Sequence, residues 1–314
     1  MVKSIGIFFK LCKGHGLALM SKYLLRRILY SIQKNLMKQR YVIRKIHNFE
    51  MVLDLYDLGL SRVLIFFGTR ELDHKIILER EIRQGMTILD LGANIGYYAV
   101  MESKLIGESG FIYALEPHPD NVDLLKTNIQ INKISNRVEI HQLGGSNKNS
   151  VEKLCVSKQS NLHSFVKDEN SSNETVDVPT ITIPEFSKER RKFDFIRMDI
   201  EGYEVEVFEG LLPAFDDDNF RPSILFETHR SKYNEEHTIK HSLNYMFEKG
   251  YKAKIIVSNE NHSPKISDFG YTADIIFPTD GMIRGLYYNI SNEDAIKLIC
   301  DIGGVRAVLL AFSE

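Results

Sequence analysis

The run Ile88-Leu89-Asp90-Leu91-Gly92-Ala93-Asn94-Ile95-Gly96-Tyr97-Tyr98 constrains the fold of this chain more than any other stretch. Its first residues read as a strand that carries Asp90 near its end, and Gly92, Asn94 and Gly96 then take the backbone through a sharp turn into a helix. Strand, glycine turn and helix in that order open a βαβ unit, whose turn lies at the carboxyl end of a parallel strand, where ligands bind. The rest of the chain agrees. From about residue 86, strand-like segments (Thr87–Leu91, Phe111–Glu116, Val138–Leu143, Phe193–Asp199, Ser223–Thr228, Tyr251–Val257 and Ala273–Phe277) alternate with helix-like ones near Ile95–Leu105, Pro119–Asn132, Tyr203–Leu211 and Glu235–Lys249. This alternation predicts an α/β fold, with a doubly wound, mostly parallel seven-stranded sheet over residues 80–280. A basic helical extension with a substrate-facing segment is expected over residues 1–79, and a helical segment over 281–314. The polar residues 158–176 read as a loop or hairpin excursion, followed by a short strand at Val176–Ile183.

Composition narrows the class further. With 43% hydrophobic residues in a chain of 314, there is apolar material for a sizeable core, and no apolar run reaches the roughly 18–20 residues that a spanning helix needs. Cys12, Cys155 and Cys300 are too few and too scattered for a disulfide framework or a CxxC metal knuckle, which predicts a reducing, cytoplasmic compartment. Residues 1–49 hold eleven Lys or Arg and no Asp or Glu, which leaves 29 basic against 42 acidic residues downstream. Within that stretch Leu17, Met20, Leu24, Ile28, Ile32 and Leu36 recur at helical spacing. One reading is a helix at the inner face of an anionic membrane, or gripping a phosphate-bearing acceptor; the other is a helix packed on the domain with its lysines solvated. The lack of Trp and of basic-aromatic interleaving, together with an acidic domain, argues against a nucleic-acid partner.

Glu116 ends the second strand, with Pro117 after it, and a carboxylate there can accept hydrogen bonds from both hydroxyls of a ribose. Two cofactors fit such an anchor behind a glycine turn: a nicotinamide dinucleotide and S-adenosylmethionine. The dinucleotide brings a pyrophosphate against the backbone and wants a glycine at the centre of G-x-G-x-x-G. This chain places Asn94 there, whose side chain crowds a pyrophosphate but suits a ligand without one. Asp90 then makes sense opposite a cation.

These residues resemble the FkbM-type S-adenosylmethionine-dependent methyltransferases. The resemblance is carried by DLGANIGYY at 90–98, ALEPHPDN at 114–121, RMDIEGYEVEVFEG at 197–210 and SILFET at 223–228, with Gly59–Leu64 and Gly68–Glu71 similar to the family's amino-terminal extension. It implies a Rossmann-like class I methyltransferase fold and S-adenosylmethionine as cofactor, held by Asp90, Gly92, Asn94, Gly96, Glu116 and Pro117, with Gln142 and Gly144 bordering adenine. It also implies an oxygen acceptor on a sugar, glycolipid or small molecule. Two departures lie towards the acceptor: Thr182–Phe186 replaces an acidic pair, and Arg197 stands where the family often has lysine.

Methyl transfer from a sulfonium is a direct displacement, so the protein must align an acceptor lone pair and take a proton from a hydroxyl. Asp199, Glu201, Glu227 and His229, at two neighbouring strand ends, are the candidate catalytic groups. In the competing reading Asp199 orients the methionyl ammonium and Glu201 serves the following helix. Asp199, Glu201 and Glu227 offer hard oxygen ligands that suit a divalent cation such as magnesium, but no spacing is diagnostic of one, and none is assigned. Arg70-Glu71 and Asp73-His74 could reach the acceptor but read more readily as helix caps, and Tyr97-Tyr98 as helix packing. Rival functions are an NAD(P)-dependent oxidoreductase and a nucleic-acid-binding protein with a vestigial domain.

Overall fold

The computed structural model describes residues 23–166 and 171–312. Residues 23–36 form a helix whose last turn, Ile32–Leu36, is widened. A hairpin of β1 (Tyr41–Ile46) and β2 (Phe49–Asp54) follows, then α1 (Leu60–Phe67) and α2 (Leu72–Glu81). The first half of the main sheet is built from β3 (Thr87–Leu91), α3 (Tyr97–Ile106), β4 (Phe111–Leu115), α4 (Pro119–Ile131) and β5 (Val138–His141). The short β6 (Gly144–Gly145), β7 (Ser150–Ser157) and β8 (Ser171–Ile181) make a separate three-stranded sheet. Next come α5 (Ile183–Ser187), β9 (Phe195–Met198), α6 (Glu204–Leu211), β10 (Ser223–Glu227), α7 (Lys240–Glu248) and β11 (Tyr251–Ser258). Finally β12 (Ile275–Thr279), β13 (Met282–Tyr288), α8 (Asn292–Ile296) and β14 (Val305–Phe312) complete the described chain.

The main sheet has nine strands in the order β12-β13-β11-β14-β10-β9-β3-β4-β5. From β10 to β5 every pairing is parallel, and β11 runs the same way because it is reached through two antiparallel pairings across β14. The expected doubly wound, mostly parallel α/β sheet is therefore present. All five residues of β3 are buried, as befits a central strand covered on both faces. Alternation along the strands sorts side chains between two cores. Ile88, Phe195 and Leu225 point into one, while Leu89, Ile196 and Phe226 point into the other.

Four expectations are corrected. The sheet has nine strands rather than seven, because β13 and β14 join the seven expected, of which Ala273–Phe277 corresponds to β12. Residues 281–314, expected to be helical, carry β13 and β14, and β14 lies between β10 and β11. The run Val305–Leu310 has no polar period to distinguish a buried strand from a buried helix. The extension 1–79 is not simply helical: β1 and β2 pair, and Asn128 of α4 clips them to the domain by accepting from Val52 N at 2.6 Å and donating to Val52 O and Ile95 O. The expected apolar stripe does not face the core. Leu24, Ile28, Ile32 and Leu36 are exposed, Ile28 at 58% and Leu36 at 79%. Instead Tyr23 and Tyr30 pack on Phe66. Leu17, Met20 and Cys12 lie outside the described residues. Among the described residues, no helix is long and apolar enough to cross a membrane.

Candidate active site

A crevice of about 520 Å³, counted out to its solvent-open mouth, lies at the carboxyl ends of β3, β4 and β9. Its walls include Gly92, Asn94, Glu116, Pro117, Gly144, Asp199 and Glu201 from the expected set, and also Asn121, Ser160, Asn161 and His163. Gly92 must be glycine: φ is +79°, and an added Cβ would lie 2.2 Å from the Asp199 carbonyl oxygen. The first turn is thereby pressed directly against the end of β9. Asn94 also adopts a left-handed conformation, φ 50°, which asparagine tolerates better than most residues. Its N–H donates to Glu116 Oε2 at 2.8 Å.

Glu116 is buried and accepts three hydrogen bonds: that from Asn94, one from His118 N at 2.9 Å and one from Asn121 Nδ2 at 3.2 Å. Burial pushes its carboxyl up to about 7, although the three donors favour the charged form. A carboxylate has about four lone-pair sites, so it retains capacity for a ribose hydroxyl. Ser160 closes the crevice from above. Its carbonyl accepts from Asn94 Nδ2 at 2.8 Å and Asn121 Nδ2 at 3.1 Å, while Asp57 accepts from its N–H and hydroxyl. Phe165 lies against Gly144, where an added Cβ would meet the ring at 2.8 Å. A polar floor, a carboxylate fixed at the second strand end and an apolar far wall fit a nucleoside without a diphosphate. This strap was not foreseen, since polar loop residues carry no periodic signal.

Asp90, Gly96 and Gln142 are not on the crevice wall. Asp90 is fully buried, one strand away from Arg197 in register, and accepts from Arg197 Nη1 at 2.8 Å. Its partner in this structure is this guanidinium, and its other oxygen, Oδ2, has no hydrogen-bond partner among the described residues. Gly96 begins α3 with φ 89°, against Leu125, and Gln142 is exposed.

At the acceptor end, Asp199, Glu201, Glu227 and His229 do converge. The turn after β9 puts Glu201 in a left-handed conformation, φ 54°, and its strain is offset by contacts around Glu204. Glu204 is fully buried. One of its oxygens, Oε1, accepts from Ile200 N and Gly202 N, both at 3.3 Å, and lies 2.9 Å from His229 Nδ1. His229 Nε2 then faces Glu201 Oε2 and Glu227 Oε1 at 3.4 Å and Asp199 Oδ1 at 4.0 Å. Burial disfavours the imidazolium, but Glu204, Glu201 and Asp199 together raise His229 to about 10. Burial raises Glu201 to about 7, with His229 opposing and Asp199 reinforcing the shift.

Around these lie groups that the sequence did not single out as a set. Arg197 Nη2 donates to Asp199 Oδ2 at 3.2 Å, and its guanidinium stacks 3.7 Å from the Tyr98 ring centre. Arg306 of β14 bridges Glu71 and Glu227. Glu71 makes no capping hydrogen bond; it pairs with Arg70 at 2.6 Å and accepts from Tyr98 Oη. Burial opposes its charge, yet Arg70 and Arg306 hold it well below the usual carboxylate range. The spacing of Glu204 three residues after Glu201, at the start of a helix, was the one available signal for its role.

The chain matches the family described as "Methyltransferase FkbM domain" over residues 90–253. It is similar to the protein-L-isoaspartate O-methyltransferase of Methanococcoides burtonii, 39% identical over 64 residues that make up 20% of this chain and 32% of that protein. The enzyme of the same name from Methanothrix thermoacetophila is 34% identical over 50 residues, 16% of this chain and 24% of that one. The chain thus spans a third or less of the length of these curated relatives. A solved FkbM methyltransferase structure from Methylobacillus flagellatus KT is 16% identical, with a TM-score of 0.41, over 65% of this chain and 44% of that one. The family match starts at Asp90, takes in Glu116, Asp199 and Glu204, and ends in β11, more than half of the 314 residues: this chain belongs to the FkbM methyltransferase family.

Proposed function

We propose that this S-adenosylmethionine-dependent methyltransferase places its methyl group on a hydroxyl oxygen of a sugar, glycolipid or other small-molecule acceptor. Bound in the crevice, the cofactor supplies an electrophilic methyl group on a sulfonium. Glu116 and Asn121 hold the nucleoside end, and the Ser160 strap excludes water above it. The observation that carries the oxygen reading is the acceptor end itself. Asp199 and Glu201 line the crevice wall, whereas His229 and Glu227 stand behind them. Glu201, raised by burial to about 7, is the group matched to taking a hydroxyl proton near neutral pH. His229 holds Glu201 and Asp199 in place as a positioning residue, itself held by Glu204. The Asn94 side chain at the turn disfavours the dinucleotide alternative, and family membership replaces it.

The exposed face of residues 24–37, flanked by the exposed Arg27 and Lys38, supports a lipid-linked acceptor met at an anionic membrane surface. To test the acceptor class, methyl-labelled S-adenosylmethionine is incubated with the enzyme and fractionated cell extract, and the product is treated with mild alkali. An ether on oxygen survives. Release of the label as methanol, the signature of a methyl ester, or its recovery on an amine, would overturn the reading.

A further inference from the structure

We infer that Asp199, Glu201 and His229 form a binding site for one divalent metal ion at the acceptor end of the crevice. Oxygen or nitrogen atoms of these three residues lie mutually within 4.8 Å. Two ligands about 2.1 Å from a common ion are roughly 3 Å apart at right angles and roughly 4.2 Å apart when opposite. The observed 3.4 Å between Nε2 and Glu201 Oε2, and 4.0 Å between Nε2 and Asp199 Oδ1, fall within that range. The ligand oxygens are also free for the task. Asp199 spends Oδ2 on Arg197 and turns Oδ1 towards the histidine.

The histidine has the environment of a metal ligand. A ligating imidazole donates its other ring N–H to a carboxylate, which fixes its tautomer and aims the free lone pair. Glu204, fully buried, lies 2.9 Å from Nδ1 and accepts also from two backbone N–H groups of the turn that carries Glu201. With Nδ1 so engaged, Nε2 faces three carboxylates without a hydrogen bond to any of them among the described residues. A divalent ion would take the place of the proton that these carboxylates otherwise hold on Nε2. A second observation is independent of this triad. Glu227, 3% exposed, borders the same space, and its Oε2 has no hydrogen-bond partner among the described residues. With Glu71 and Asp199 it forms a second overlapping group whose oxygens lie within 4.8 Å of one another.

Charge points the same way. The connected ion pairs join six carboxylates (Glu71, Asp90, Asp199, Glu201, Glu204 and Glu227) to three guanidiniums (Arg70, Arg197 and Arg306) and one imidazole. With all six carboxylates ionised and the imidazole neutral, as a metal ligand must be, this set lacks three positive charges, of which a divalent ion supplies two. Two carboxylates and one imidazole suit manganese or magnesium better than a soft metal. That the ion would hold the acceptor hydroxyl rests on the proposed oxygen acceptor; the ion site itself does not.

The test titrates Mn²⁺ into chelator-treated full-length protein and follows free Mn²⁺ by electron paramagnetic resonance, with S-adenosylmethionine binding measured by calorimetry on the same samples. The expected result is saturable loss of the free signal at about one ion per chain, with affinity at least tenfold weaker in Asp199→Asn, Glu201→Gln and Glu204→Gln. Circular dichroism and melting curves identify any variant that has failed to fold, and the crevice-wall substitutions Asp199→Asn and Glu201→Gln remain informative if Glu204→Gln does so. A free signal that does not fall at millimolar Mn²⁺, or equal affinity in folded Asp199→Asn and Glu201→Gln, overturns the metal site. If S-adenosylmethionine still binds in that case, only the ion is lost; if it fails to bind at all, the methyltransferase reading fails separately.

Discussion

Glu116 shows how a single side chain couples burial to ligand affinity. The ribose hydroxyls donate hydrogen bonds, so they require the carboxylate form, while burial holds the free protein's Glu116 at about 7. Binding therefore expels a proton from any chain that carries one, and affinity follows the ionised fraction. Below about pH 7 the S-adenosylmethionine association constant is expected to fall by up to tenfold per unit, while above about pH 8 this group leaves it flat. Calorimetry at pH 6 and pH 8 checks this. In Glu116→Gln the part of the pH dependence due to this group disappears and affinity at pH 8 drops by at least tenfold, as expected when a charge-assisted acceptor is replaced by a neutral one.

Between elements, the telling contact is the buried pair that ties β3 to β9. Asp90 and Arg197 are register partners on parallel neighbours, so their side chains share one face of the sheet. Removing Asp90 leaves Arg197, 2% exposed, with Asp199 as its remaining carboxylate partner. Asp90→Ala is expected to lower unfolding stability by about 3–5 kcal/mol, measured by urea denaturation, and to disturb the cofactor only through the displaced turn. The strand-turn-helix run made the position of Asp90 legible but not its partner, because a residue 107 positions away in sequence, joined by β-register, leaves no local trace. For the same reason the core strands β3, β4, β5, β9, β10 and β11 were readable from their apolar runs and glycine punctuation, and β14 was not. Of the acceptor end, the acidic and histidine side chains at the strand ends could be read from topology. Glu71, in a loop before α2, could be read only as a residue able to reach the acceptor and favoured as a cap, and Arg306 could not be read at all, since it arrives from the antiparallel strand β14.

Across the whole molecule, charge and apolar exposure concentrate at one end. The residues 1–49 carry the basic excess, and Leu24, Leu25, Ile28, Leu29, Ile32, Leu36 and Met37 are all exposed there. Apolar side chains left bare beside Lys and Arg suit an interface between water and anionic lipid, where each basic residue adds about 1 kcal/mol. The full chain is therefore expected to co-sediment with vesicles rich in phosphatidylglycerol, to release from them as salt is raised, and to bind at least tenfold more weakly as Ile28→Glu or Leu36→Glu. Equal sedimentation with neutral vesicles, or no effect of either substitution, would remove the membrane from the proposal.

The placement of β14 has a consequence for how this protein is made. It pairs with both β10 and β11, so neither strand can complete its hydrogen bonding until residues 305–312 have left the ribosome. Until then the edges of β10 and β11 that β14 will pair have no partner strand, and unpaired edges recruit other chains. Because Arg306 arrives with that strand, the acceptor chamber also lacks one of its guanidiniums until then, and a nascent polypeptide stalled before residue 305 cannot assemble a finished catalytic pocket.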